Sequence, residues 1–61
     1  MFVICIKNDG YPVSLEIGKS YDVIQNPIAE RYGLIHIIDE SKQSYFYPQE
    51  YFKPANKNNE G

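Results

Sequence analysis

Turn-forming residues cut this chain into apolar runs of two to six residues, a length that suits strands and is too short for helices. The first run, Phe2-Val3-Ile4-Cys5-Ile6-Lys7, is β-branched and aromatic and stops at Asn8-Asp9-Gly10. Asp-Gly is a strong turn signal, because Gly accepts positive φ and Asp bonds its own backbone. Period-two alternation places Phe2, Ile4 and Ile6 on one face and Val3, Cys5 and Lys7 on the other, without deciding which turns inward. Tyr11 to Ile17 contains Pro12 and reads as an irregular arm with Leu15 and Ile17 alternating against Ser14 and Glu16. After Gly18-Lys19, a second strand is expected over Ser20–Gln25, with Tyr21 and Val23 sharing a face, and Asn26-Pro27 ends it.

Ile28 to Gly33 is the one stretch with helical leanings, with Pro27 as first helical residue and Gly33 as C-terminal cap. It has room for a single turn. Leu34-Ile35-His36-Ile37-Ile38 is apolar on both faces and reads as the central strand. A polar hairpin connection follows, Asp39 to Gln43, without the Asn-Gly or Asp-Gly pair that would fix its type. Ser44–Tyr47 is the fourth strand, Pro48-Gln49-Glu50-Tyr51 a 3₁₀ turn, and Phe52-Lys53 a last short strand before Pro54. Residues 55–61 offer nothing to bury and read as an unstructured tail. The expected architecture is all-β: a partly open, five-stranded antiparallel small barrel over residues 1–54, because an open sheet this small exposes two edges that closure would remove.

Composition narrows the function classes. Sixty-one residues make one domain, and 43% hydrophobic content is too apolar for a disordered chain. A net charge of -2 offers little to a phosphate backbone, and Lys7, Lys19, Arg31, Lys42, Lys53 and Lys57 are scattered. One Cys cannot form an internal disulfide, no apolar run is long enough to span a bilayer, and no signal peptide is evident, so the expected address is the cytoplasm.

The residues that could carry chemistry read as structural. His36 is the only His and Cys5 the only Cys, which rules out a metal quartet of soft ligands; a strand His at the surface and a buried Cys are expected. A Cys5–His36 nucleophile–base pair would need neighbouring strands, and the aliphatic neighbours of Cys5 do nothing to lower its pKa. Asp39-Glu40 with Asp22 lacks the oxygen spacing and Gly of a hard-cation loop and reads as a solvated hairpin. The Gly residues at 10, 18, 33 and 61 are too far apart to cradle a phosphate. No cofactor is expected. The aromatic group Tyr11, Tyr45, Tyr47, Tyr51 and Phe52 is the informative one. Its rings either cover the barrel's ends or form an exposed strip for a partner.

Leu15-Glu16-Ile17-Gly18-Lys19-Ser20-Tyr21-Asp22-Val23-Ile24 resembles the diverging turn of SH3-like domains, and Pro48-Gln49-Glu50-Tyr51 is similar to their Pro-x-x-Tyr 3₁₀ turn. Asn26–Gly33 and Asp39–Gln43 correspond in order to the second variable loop and the distal hairpin. The resemblance spans Phe2 to Pro54 and extends to short bacterial and phage proteins of that fold. It implies a binding module whose groove positions are matched in kind by Tyr11, Pro48 and Tyr51. The Trp that walls the family's groove is missing, and Tyr32 or Leu34 is nearest in position. The acidic cluster is reduced to Asp9 and Glu16.

A non-catalytic interaction module is therefore expected, binding a protein or peptide through Tyr11, Tyr32, Tyr47, Pro48 and Tyr51. The alternatives are a homodimer, formed by edge pairing or through an apolar face around Leu34 and Ile38, and a single-stranded nucleic-acid binder stacking bases on the same aromatics.

Overall fold

The computed structural model describes residues 1–55. Five strands form one antiparallel sheet: β1 (Phe2–Cys5), β2 (Ser20–Val23), β3 (Leu34–Ile38), β4 (Ser44–Pro48) and β5 (Phe52–Pro54). A short helix, α1 (Pro27–Arg31), joins β2 to β3, and a 3₁₀ turn (Gln49–Tyr51) joins β4 to β5. The strand order is β4-β3-β2-β1-β5. The centre of the sheet is thus β2, and not the Leu34–Ile38 strand that its hydrophobicity suggested. β3 is apolar on both faces for another reason: α1 packs against it, with Ala29 buried.

Among the described residues backbone pairing leaves the sheet open, with β4 and β5 as free edges, so the sheet does not close as a barrel would. The sheet is nevertheless strongly curled. Three residues link its two opposite edges, a reach of at most about 14 Å, whereas a flat five-stranded sheet would measure about 19 Å across. The curl wraps one core. Val3, Cys5, Tyr21, Ile37, Tyr47 and Phe52 come from all five strands, and Leu15 plugs them from the Tyr11–Ile17 arm.

The register settles which face of β1 turns inward. Val3 lies opposite Tyr21 and Cys5 opposite Phe52, so Val3 and Cys5 are buried while Phe2 and Ile6 are left open. The arm around Leu15 is helical in character, with the Leu15 N–H donating to the Tyr11 carbonyl at 3.0 Å. α1 begins as its sequence predicts. Pro27 occupies the first turn and the Asn26 side chain accepts the Ala29 N–H at 3.2 Å. Gly33 then adopts φ 72°, the left-handed conformation that stops a helix.

The hairpin between β3 and β4 solves its turn without glycine. The Lys42 N–H donates to the Asp39 carbonyl and the Asp39 N–H to the Gln43 carbonyl, with Lys42 itself at φ 68°. That is a three-residue loop whose last position is left-handed. Ala55 remains attached to the sheet, its N–H donating to the Phe2 carbonyl. The rest of the expected tail, 56–61, lies outside the described residues.

Candidate functional site

The aromatic residues separate into a cluster with a buried floor and a second group on the far face. Tyr47 is the floor. Alternation along β4 turns its ring into the core, where it is 3% exposed, while Tyr45 and Phe46 stay open. Tyr11 meets the Tyr47 ring edge-on with centroids 4.9 Å apart and the Tyr51 ring at 6.2 Å. Tyr51 comes from the 3₁₀ turn and donates its hydroxyl to the Asp9 carbonyl at 2.9 Å. The Lys7 ammonium lies 5.5 Å from the centre of the Tyr51 ring, a cation–π distance. Tyr11 and Tyr51 thus form an outward shelf set on Tyr47.

Tyr47 therefore supports the shelf but offers no accessible surface of its own, a correction to the sequence reading. Pro48 is half-buried and pairs across to Leu34. Tyr32, expected to stand in for the missing Trp, is 77% exposed at the end of α1. It lines a different hollow with Ile28, Leu34 and Phe46, and takes no part in the ring contacts of the shelf.

Asp39 overturns the solvated-hairpin reading. Its side chain is 3% exposed and accepts the Tyr47 hydroxyl at 2.6 Å, the Ser41 N–H at 2.9 Å and the Ser41 hydroxyl at 2.5 Å. Burial alone would push its carboxyl up. The bonds from Ser41, Tyr47 and the backbone outweigh that and hold it below the usual carboxylate range. The same environment acts on the phenol, which burial and then the bond to Asp39 push up to about 12.

Glu40 forms the second half of this clasp. It accepts the Tyr21 hydroxyl at 2.7 Å and the Lys19 ammonium at 2.9 Å, and its N–H donates to the Ser14 carbonyl. Tyr21 in turn accepts the Glu16 N–H at 2.7 Å, and burial, then Glu40, push its hydroxyl up to about 12. Glu40 thus ties the arm that carries Tyr11 to the hairpin tip, while Asp39 holds Tyr47 beneath it. Nothing in the sequence marks Tyr21 for this role, because its partner is nineteen positions away.

Cys5 is fully buried and its thiol donates to the Lys7 carbonyl at 3.2 Å; burial pushes the thiol up, away from the reactive thiolate. It faces the core from β1, whereas His36 lies on the opposite face of β3 with β2 between them. The two do not form a pair. His36 stacks on Phe46 at 4.4 Å. Among the described residues, no three His, Cys, Asp or Glu side chains come together as metal ligands. No helix among the described residues is long and apolar enough to cross a membrane.

A larger hollow, of about 600 Å³, opens at the mouth of the curled sheet between Phe2, Val3, Ile35, Phe52 and Pro54. Its lining is mostly apolar, with Gln49 and Lys53 as the polar side chains at its border. No family model matches the chain, and neither a curated protein nor a solved structure does.

Proposed function

We propose that this chain is a small, non-catalytic interaction module with an SH3-like half-open barrel, which takes a protein or peptide segment on the Tyr11–Tyr51 shelf. The strand order, the 3₁₀ turn before β5 and the positive-φ Gly18 beside the arm support the fold assignment. The observation that carries the binding reading is the packing of the three rings. Tyr11 and Tyr51 are held in mutual edge contact on a buried Tyr47, itself bonded to a buried carboxylate. Rigid, partly open tyrosines with a packed floor offer contact area at small entropic cost, as binding hot spots do. Lys7 at the rim adds a donor for a carbonyl or carboxylate of the bound segment. A cytoplasmic setting, read from the lone cysteine and the composition, belongs to the same proposal.

The test is a titration of the isotopically labelled chain with peptides recovered from a displayed random library. Tyr11→Ala and Tyr51→Ala weaken those peptides at least tenfold while the fold persists, and Tyr32→Ala does not. Unchanged affinity in both shelf variants overturns the reading.

A further inference from the structure

We propose that a second copy of this chain covers the outer face of the sheet, giving a two-fold dimer that leaves the Tyr11–Tyr51 shelf open on each copy. The inference is independent of the shelf, because it rests on the opposite side of the molecule. Alternation along β2, β3 and β4 sends Ile24, Leu34, His36, Ile38 and Phe46 to that side. Phe46 is 51% exposed, and α1 borders the face with Ile28 and Tyr32 at 67% and 77%. Large apolar side chains grouped in this way on so small a chain mark a contact surface.

Area and shape favour a copy of the chain as the occupant. Taking a whole aromatic side chain as about 200 Å², Tyr32 and Phe46 leave more than one full ring open, and Ile28 with Ile24 roughly one aliphatic side chain more. With the half-buried Leu34, His36 and Ile38, the face offers roughly 500 Å² of apolar surface. A standard interface takes about 800 Å² per partner, a little over half of it apolar. The face also carries its own complement. The stacked Phe46 and His36 rings form a ridge, and beside it lies a hollow of about 260 Å³ between Ile28, Tyr32, Leu34 and Phe46. In a two-fold contact, if one residue meets a second on the other copy, the second meets the first in return, so a ridge beside a hollow is self-complementary.

Charge leads to the same occupant. Asp22, which alternation sends to this face opposite Ile38, lies 3.7 Å from the Met1 ammonium, so its charge is already matched within the chain. At its helical rim Glu30 and Arg31 are exposed, with no ion pair among the described residues, so the rim carries both signs that a two-fold contact pairing Glu30 with Arg31 of the other copy would use. The sheet edges are shortened by proline. The N–H groups of Gln49 and Ala55 point into the sheet, so the nitrogens of Pro48 and Pro54 face outward and offer no donor. That leaves only the Ser44 and Phe46 N–H groups on the β4 edge.

The experiment is light scattering on the full chain from micromolar to millimolar concentration, with circular dichroism as the folding control. The mass rises to twice the monomer value, and Ile28→Glu and Phe46→Glu each move the midpoint to at least 100-fold higher concentration. Tyr11→Ala leaves it in place. Ile28 is an exposed helical residue, so its variant stays informative if Phe46→Glu loses the fold. A monomer at 1 mM, or a dimer that a folded Ile28→Glu chain forms equally well, overturns the inference; either result leaves peptide binding at the shelf to its own titration.

Discussion

Tyr47→Phe tests the clasp that holds the shelf, because it removes one oxygen and nothing else. The lost group donates at 2.6 Å to Asp39 Oδ2, both residues being 3% exposed. A hydrogen bond to a charged group is worth about 1.5–3 kcal/mol. Asp39 Oδ1 keeps both Ser41 bonds, so the carboxylate stays seated and the loss is about 2 kcal/mol at pH 7. A chain of this length has roughly 3–9 kcal/mol of stability in total. With a urea slope of about 1 kcal/mol per molar, the unfolding midpoint drops by about 2 M, read by circular dichroism. The pH dependence is the sharper readout. Because the folded carboxyl is held below its ordinary value, it contributes stability above about pH 4 and loses it as pH falls through the folded value. Without the phenol, the variant's carboxyl moves up and is protonated first. The gap between the two proteins is therefore full at pH 7 and narrows below pH 4, towards the ~1 kcal/mol of a neutral hydrogen bond. A gap under about 0.5 kcal/mol at pH 7, or one that stays constant down to pH 2, would refute the clasp.

Tyr21 and Tyr47 titrate late. In an absorbance titration at the phenolate band, these two of the six tyrosines ionise near pH 12. Their raised values mean that stability is intact below pH 10 and falls as pH rises from 10 to 12, and a chain whose tyrosines all titrate together near 10 contradicts this. Lys42→Gly relieves a left-handed residue at φ 68° and raises stability by about 1 kcal/mol in urea unfolding; a loss there would contradict the turn geometry. Asn26→Ala removes the acceptor of the Ala29 N–H and costs about 1 kcal/mol, with hydrogen exchange at Ala29 rising ahead of that in β3. Unchanged exchange would show that the cap does not hold α1.

Much of the fold was legible because its signals are local. Gly-Lys opens β2 at Ser20 as expected, and Asp-Gly, Asn-Pro and the prolines at 48 and 54 start within four residues of an element end. The ends themselves differ: β1 and β2 stop two residues short of the expected Lys7 and Gln25, and β4 and β5 run on to include Pro48 and Pro54. Pro27 and Gly33 bracket α1 for the same reason. The site was less legible. Tyr11 and Tyr51 were singled out and do meet, but Tyr47 proved to be their floor and Tyr32 lies on another side. Alternation tells which residues share a face, yet only the curl of the sheet decides which side is closed.

The number of strands and their order along the chain, the turn positions, the 3₁₀ turn and the absence of an internal disulfide were thus determined by the sequence itself, through short-range sterics and composition. Tertiary structure decided three further things: that Val3 and Cys5 turn inward, that β2 and not β3 lies at the centre, and that the hairpin acid Asp39 is buried. These depend on pairings between residues far apart in the chain. The burial of Asp39 has the clearest physical cause. A charged Asp-Glu tip reads as solvated until a buried tyrosine from the same hairpin and a serine two residues on supply the hydrogen bonds that replace water.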